Sequence, residues 1–248
     1  MTTIAVLVDP PRPGLAFDRL AATSPLSDAE CADLYAAATR DVCRAVAESA
    51  GDLLVNYRPD EALSERFRDP DADAETELRE VVDPVAEDAR FEVQVGETFA
   101  GRAGNTATHL LETEGNDSVA ITTPNAPLLT RRQVDEAAMK LRRSEVVLGP
   151  APDGRVYYAA FRDTIDFEDA YAAPALGTLT DRALDAGNDV DFLTRLPVIG
   201  HGRDLADLLV TLRTRRKSGR TVPEYTADAL EGLGLVVEAT DDGLAVTR

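Results

Sequence analysis

One of the chain's two histidines stands between glycines, in Gly200-His201-Gly202; the other is His109. A histidine in so flexible and accessible a loop can act as a general base or bind a metal, with an idle surface residue as the alternative. Asp153-Gly154 offers a carboxylate that helps shape an acceptor pocket, or simply a turn before Tyr157-Tyr158. Alternation along a strand sends those two tyrosines to opposite faces, so at most one lines a pocket. Gly101-Arg102-Ala103-Gly104-Asn105 reads as a glycine-rich stretch able to contact a phosphate or an acceptor, without the glycine-lysine frame of a phosphate loop. Cys31 and Cys43 lie too far apart for CxxC redox or zinc chemistry and read as buried free thiols. Two histidines exclude a multi-histidine metal site.

Such side chains need elements to hold them. Ile4-Ala5-Val6-Leu7-Val8 is a short apolar run of the kind that forms a buried parallel strand, and Asp9-Pro10-Pro11-Arg12-Pro13-Gly14 ends it in a loop. Ser27 stands three residues before Glu30, the spacing of a capping box, and opens a helix to about residue 49. A second strand follows at 52–57, a loop around Asp69-Pro70-Asp71, a helix near 75–82 and a strand at 91–95. Helix is expected at 106–114, a parallel strand at 118–122 stopped by Pro124 and Pro127, and a helix from the cap Thr130 to 143. Strands at 145–148 and 156–161 flank a proline- and glycine-rich turn. This alternation predicts an α/β fold with a mainly parallel sheet flanked by helices, whose strand ends carry the ligand-binding loops. Beyond it come a helix over 205–216 with a basic end and a hairpin turning at Asp241-Asp242-Gly243.

The first loop, Asp9-Pro10-Pro11-Arg12-Pro13-Gly14-Leu15-Ala16-Phe17-Asp18-Arg19-Leu20, has company further along. Leu34-Tyr35, Arg40-Asp41, Pro127-Leu128-Leu129-Thr130, Val147-Leu148-Gly149-Pro150-Ala151 with Asp153-Gly154, Leu196-Pro197 and Asp207-Leu208 complete a pattern over about residues 4–210. The pattern resembles a glycosyltransferase-like family, some of whose members are labelled radical-SAM/selenodomain-associated transferases; this chain looks like a divergent haloarchaeal member. The resemblance implies a GT-A, nucleotidyltransferase-like fold (nucleotide-diphospho-sugar transferase-like) and a nucleotide or nucleotide-sugar substrate. It implies that the first loop, with Arg12, Gly14 and Arg19, wraps the nucleotide, and that Mg²⁺ or Mn²⁺ on carboxylates neutralises the diphosphate as its bond breaks.

At the site the chain departs from the family pattern. Asp9 and Phe17 stand where the pattern has lysines, Asn125 where it has the aspartate after the central strand, and His201 and Arg203 where it has a late Asp-x-Asp. An amide is a weaker ligand than a carboxylate for a hard cation, Arg203 repels one, and Asp9 repels phosphate. Three readings stay open. In a rebuilt transferase, Asp153 and His201 take catalytic roles, Arg19 and Asn125 hold the nucleotide, and Arg203 replaces the charge of the metal. In the second reading the chain is a non-catalytic nucleotide- or partner-binding relative, and in the third the motif loops are only structural turns.

Composition narrows the setting. Asp and Glu number 45 against 26 Lys and Arg, a net charge of −19, and Lys140 and Lys217 are the only lysines. That balance predicts the cytoplasm of a salt-in halophile, where concentrated salt screens carboxylate repulsion, and it excludes general nucleic-acid binding. An apolar content of 44% argues against disorder. No apolar run approaches the roughly 20 residues of a membrane helix, and no secretory leader is expected. The expected organisation is one domain over 1–210 with a C-terminal extension, 211–248, whose basic run at 213–220 is a solvated helix end or a partner contact.

Overall fold

A computed structural model describes residues 2–69, 71–241 and 243–248. The first strand, β1 (Thr2–Val8), is buried from Thr3 onward, as a central parallel strand must be. A proline-rich loop leads to the short α1 (Asp18–Thr23) and to α2 (Asp28–Ala47). The expected capping box opens α2: Glu30 N–H donates to Ser27 Oγ at 3.3 Å, and Ser27 N–H donates to Glu30 Oε2 at 2.8 Å. Next come β2 (Asp52–Tyr57), α3 (Ala74–Val82), β3 (Arg90–Val93), α4 (Phe99–Thr108), β4 (Ser118–Thr122) and α5 (Arg131–Lys140). Then follow β5 (Val146–Pro150), β6 (Val156–Phe161), α6 (Ala175–Asp185), β7 (Val190–Phe192), α7 (Gly202–Lys217), α8 (Glu224–Glu231), β8 (Val236–Thr240) and β9 (Gly243–Thr247).

Strands β1 to β7 make one sheet in the order β3-β2-β1-β4-β6-β5-β7. Only β6 runs against its neighbours, β4 and β5. Alternation along β1 feeds two cores. Ile4, Val6 and Val8 pack with Val42 and Val46 of α2, Leu78 of α3 and Val134 of α5. Ala5 and Leu7 pack on the other face with Ala103 and Ala107 of α4 and Leu179 and Ala183 of α6. A third cluster, with Leu20, Leu34, Leu205, Leu209 and Leu230, joins α1, α2, α7 and α8. The C-terminal segment is also pinned by a buried carboxylate, Asp41, which accepts the N–H of Thr226 at 2.7 Å and of Tyr225 at 3.3 Å at the start of α8. The Arg40-Asp41 motif thus serves docking of the last helix onto α2. Strands β8 and β9 pair as the expected antiparallel hairpin. Asp242 in its turn, and Pro70 in the loop expected around residues 69–71, lie outside the described residues.

Several expectations need correction. The glycine-rich stretch at 101–105 is helix: Thr98 caps α4 by accepting Gly101 N–H at 3.0 Å, and Gly104 lets Phe167 approach so closely that a Cβ would meet that side chain at 2.5 Å. Helix α7 starts at Gly202, before the expected 205, and runs unbroken past residue 210. Helices α1, α6 and α8 and strand β7 were not legible as elements. Cys31 and Cys43 are, as expected, free and buried, and burial pushes their thiols up to about 11 and about 12.

Candidate functional site

The C-terminal ends of β1 and β4 and the start of the antiparallel β6 open into a cleft with two lobes. The first lobe has a volume of about 300 Å³ and is bordered by Asp9, Phe17, Tyr35, Gln94, Arg102 and His201. The second, about 370 Å³, is bordered by Tyr157, Tyr158, Tyr171 and Val198. Arg19, Phe99, Thr123, Asn125 and Arg155 border both and form the junction between them. Tyr157 and Tyr158 both reach this cleft, against the expectation of one. The register of β5 and β6 slips between Gly149 and Pro150, leaving Tyr157 as an extra residue, and a bulge of that kind breaks strict alternation.

Long-range contacts assemble the junction. Ile199 N–H donates to the Asn125 carbonyl at 2.7 Å, bringing the loop after β4 against the segment that carries His201. His201 is the N-cap of α7; its N–H donates to Asp204 Oδ2 at 2.9 Å, and its Nδ1 lies 3.2 Å from the same oxygen. Asp204 also holds Arg155 in a fork, Nη2 to Oδ1 at 2.7 Å and Nη1 to Oδ2 at 2.9 Å. Burial favours neutral Asp204, but hydrogen bonding and charge from Arg155, aided by His201, hold its carboxyl below the ordinary range. The glycines around His201 serve close approach: a Cβ on Gly200 would come within 2.7 Å of Arg155 Nη1, and one on Gly202 within 2.0 Å of the Thr23 carbonyl. His201 is therefore held by its helix cap, where a flexible loop was expected.

The residues singled out from the sequence divide into three groups. Arg19, Asn125 and His201 meet at the cleft, and the exposed Arg19 guanidinium has no partner among the described residues. Asp153 and Arg203 pair with each other outside the cleft border, and the Arg203 side chain is 65% exposed. The guanidinium that does reach the junction belongs to Arg155, which no motif marked. Arg12 and Gly14 stay away from the cleft. Arg12 donates to Glu77 at 2.7 and 3.0 Å and, through Nη1, to Asp60 and the Phe67 carbonyl at 2.6 Å each, so its donors are spent on the first half of α3 and the long loop before it. Gly14 supplies a positive φ of 75° to the turn.

The first lobe hides charge. Asp9 N–H donates to the Tyr35 hydroxyl at 2.9 Å, and Asp9 Oδ1 lies 2.8 Å from Arg58 Nε. Burial raises the pKa of Asp9 although Arg58 and Arg102 act the other way. Arg102 donates through Nη1 to the Glu97 carbonyl at 2.9 Å, while its buried Nε has no acceptor. The stretch around Arg102 was flagged for the right neighbourhood as the wrong kind of structure.

Residues 42–171 match a family described as an uncharacterized protein conserved in bacteria, DUF2064. The chain belongs to that family. Among solved structures, a candidate nucleotide-diphospho-sugar transferase from Desulfovibrio desulfuricans G20 superimposes with a TM-score of 0.75 at 22% identity, over 93% of this chain and 94% of the other. A cytidylyltransferase from Leptospira borgpetersenii serovar Hardjo-bovis (strain JB197) follows at TM-score 0.49 and 10% identity, covering 94% and 93%. CMP:2-keto-3-deoxy-manno-octonic acid synthetase complexed with CTP gives 0.46 and 12%, covering 88% and 99%. The first of these likenesses shows the fold: this DUF2064 chain has a nucleotide-diphospho-sugar transferase-like architecture. A search of curated proteins finds no match. No helix among the described residues is long and apolar enough to cross a membrane.

A divalent metal does not fit the junction of this family member. The residues that border both lobes include the amide of Asn125 and two guanidiniums but no carboxylate; Asp9 and Asp18 border the first lobe only, and Asp204 is forked to Arg155. A separate cluster, Glu92, His109 and Glu114, has ligand atoms within 4.8 Å of one another, but Arg90 already bridges its two carboxylates at 2.6 and 2.7 Å. None of the three borders the cleft lobes.

Proposed function

We propose that the chain binds a nucleotide-activated small molecule in this cleft and transfers its glycosyl or nucleotidyl group, with arginines supplying the positive charge that a metal would supply. One observation carries the reading: Arg155, fixed by the buried Asp204, and the unpartnered Arg19 both border the junction of the two lobes. A diphosphate leaving group needs its charge neutralised as the bond breaks, and guanidiniums bind phosphate oxygens in pairs of parallel hydrogen bonds. The role first given to Arg203 passes to Arg155. Asn125 and His201 frame the same junction, with His201 placed to take a proton from an acceptor. Asp153 lies outside the cleft border and enters this arrangement as a second carboxylate beside Arg155, 3.5 Å from its Nη2.

Nucleotide binding without turnover is the second reading. It is favoured by the second lobe, whose border carries no carboxylate to activate an acceptor. Calorimetric titration in multimolar KCl with nucleotides and nucleotide sugars, with and without Mn²⁺, tests both. Metal-independent binding is expected. Binding that requires Mn²⁺ overturns the arginine reading, and absence of binding overturns the nucleotide reading. Turnover of a bound donor separates the transferase from the binder.

The same proposal places the chain in the cytoplasm of a salt-in halophile, supported by its charge of −19. Lowering KCl from about 1 M to about 0.1 M lengthens the screening distance from roughly 3 to 10 Å, so the melting temperature should fall markedly. A flat response rejects that setting.

A further inference from the structure

The first lobe and the junction differ in charge. At the junction, Arg155 is forked to Asp204 and lies 3.5 Å from Asp153, while Arg19 has no side-chain partner among the described residues. Around Asp9, two arginines, Arg58 and Arg102, are balanced by Asp9 itself and Asp18. An anion gains at the first place and little at the second. What the Asp9 lobe offers is acceptors. One oxygen of Asp9 faces Arg58, and the other makes no hydrogen bond among the described residues. Gln94 donates its amide hydrogens to the carbonyls of Val8 and Asn56, at 3.0 and 2.7 Å, which fixes the carboxamide and leaves only its Oε1 to offer a ligand. Both residues border the lobe.

We propose that Asp9 and Gln94 select the nucleoside end of the substrate by accepting two adjacent hydrogen bonds from it, while the diphosphate lies on Arg19 and Arg155. The assignment rests on the nucleotide reading above. A nucleotide has two sources of adjacent donors: N1–H with the 2-amino group of guanine, and the 2′,3′-diol of ribose. Gln94 is buried and Asp9 half-buried, and acceptors so withdrawn from water disfavour a ligand that lacks the matching donors, because they are then left poorly paired. It also gives Asp9 a use where a phosphate-binding cation was expected.

Calorimetry in multimolar KCl without added metal, using pyrophosphate, GDP, IDP, UDP and 2′-deoxy-GDP, tests this. Guanine recognition predicts that GDP binds at least tenfold tighter than IDP and UDP. Diol recognition predicts that GDP and UDP bind alike and 2′-deoxy-GDP at least tenfold more weakly. In either case Asp9→Asn removes the preference without weakening pyrophosphate binding, since it takes a negative charge out of the cleft. Nucleoside diphosphates that bind no tighter than pyrophosphate, a panel without discrimination, or an Asp9→Asn protein that keeps the preference each overturn the inference while the anion site stands. Failure of pyrophosphate itself to bind defeats the nucleotide reading and this inference with it. Should Asp9→Asn not fold, the discrimination among GDP, IDP, UDP and 2′-deoxy-GDP by the unaltered chain decides.

Discussion

Arg12 and Arg155 both stand in proline-bearing loops and both are forked onto carboxylates, yet they do opposite work. Arg12 has donors directed to Glu77, Asp60 and the Phe67 carbonyl, and only 10% of its side chain is exposed. Its partners lie in one long acidic segment, so its pairing closes that segment over the end of β1. Arg155 is tied through Asp204 to the first turn of α7 and still borders the cleft. A guanidinium surrounded by acceptors is a structural tie. Arg155 is held too, by Asp204, by Asp153 at 3.5 Å and through Nε by the Pro152 carbonyl, but these ties leave it at the cleft border with its direction set in advance.

The largest effect expected from this contrast is on stability. Arg12→Ala leaves Asp60 and Glu77 facing each other without their cation, and removing one partner of a largely buried pair costs about 3 kcal/mol. Thermal or urea melting should show that loss, with pyrophosphate affinity of the folded fraction unchanged. Loss of binding in proportion would place Arg12 in the site after all. Arg155→Ala should cost stability too, because it strands the buried Asp204, but of the two variants it alone should cost binding. A charge-assisted hydrogen bond is worth about 1.5–3 kcal/mol, so affinity for pyrophosphate should drop by roughly ten- to a hundredfold. Arg155→Lys keeps the charge without the fork and should recover only part of it; full recovery would mean that charge alone matters there.

The reach of sequence reasoning follows the range of the interactions involved. Strands β1, β2, β4, β5 and β6 announce themselves as apolar runs, and α2 by the local contact of Ser27 with Glu30. Strand β7 has only three residues and exists because β5 pairs with it. Helix α4 was obscured because Gly101 and Gly104 are poor helix formers, and Gly104 is explained by Phe167, distant in sequence. In the site, the family resemblance pointed to Arg19, Asn125 and His201, which all border the cleft. Arg12 looked equivalent to Arg19, since the acids that capture it lie 48 and 65 residues further on. Arg155 and Asp204 stood beside flagged residues, Asp153 and Arg203, and the fork that assigns them spans 49 residues. Gly200 was the available signal: a glycine just ahead of the His201 cap marks a close approach whose visitor only the fold reveals.

Arg19 sharpens the comparison from the unpaired side. Its side chain has no partner to lose, so Arg19→Ala should leave the melting temperature within the range of an ordinary surface change, about 0.5 kcal/mol. Pyrophosphate affinity should still fall about tenfold, the effect of one charged hydrogen bond. An unchanged affinity removes Arg19 from the junction.

The smallest expected effect is in acid. Against the pull of burial, Arg155 and His201 hold Asp204 below its ordinary range, so between its folded and unfolded pKa values the unfolded chain binds the extra proton. The stabilisation from Asp204 is therefore complete above the unfolded carboxylate value of about 3.9 and is lost as pH falls through the lower folded value. Asp9 runs the other way, because burial raises its pKa and protonation in acid relieves a cost. Asp204→Asn should be less stable than the parent by a constant amount at neutral pH, and that gap should narrow once the pH drops below the ordinary carboxylate range. Matched acid-unfolding curves read this directly. If the gap persists undiminished to the acid limit, Asp204 acts through hydrogen bonds that do not need its charge, and Arg155 must owe its place at the junction to its Nε bond with the Pro152 carbonyl at 2.9 Å rather than to the ion pair.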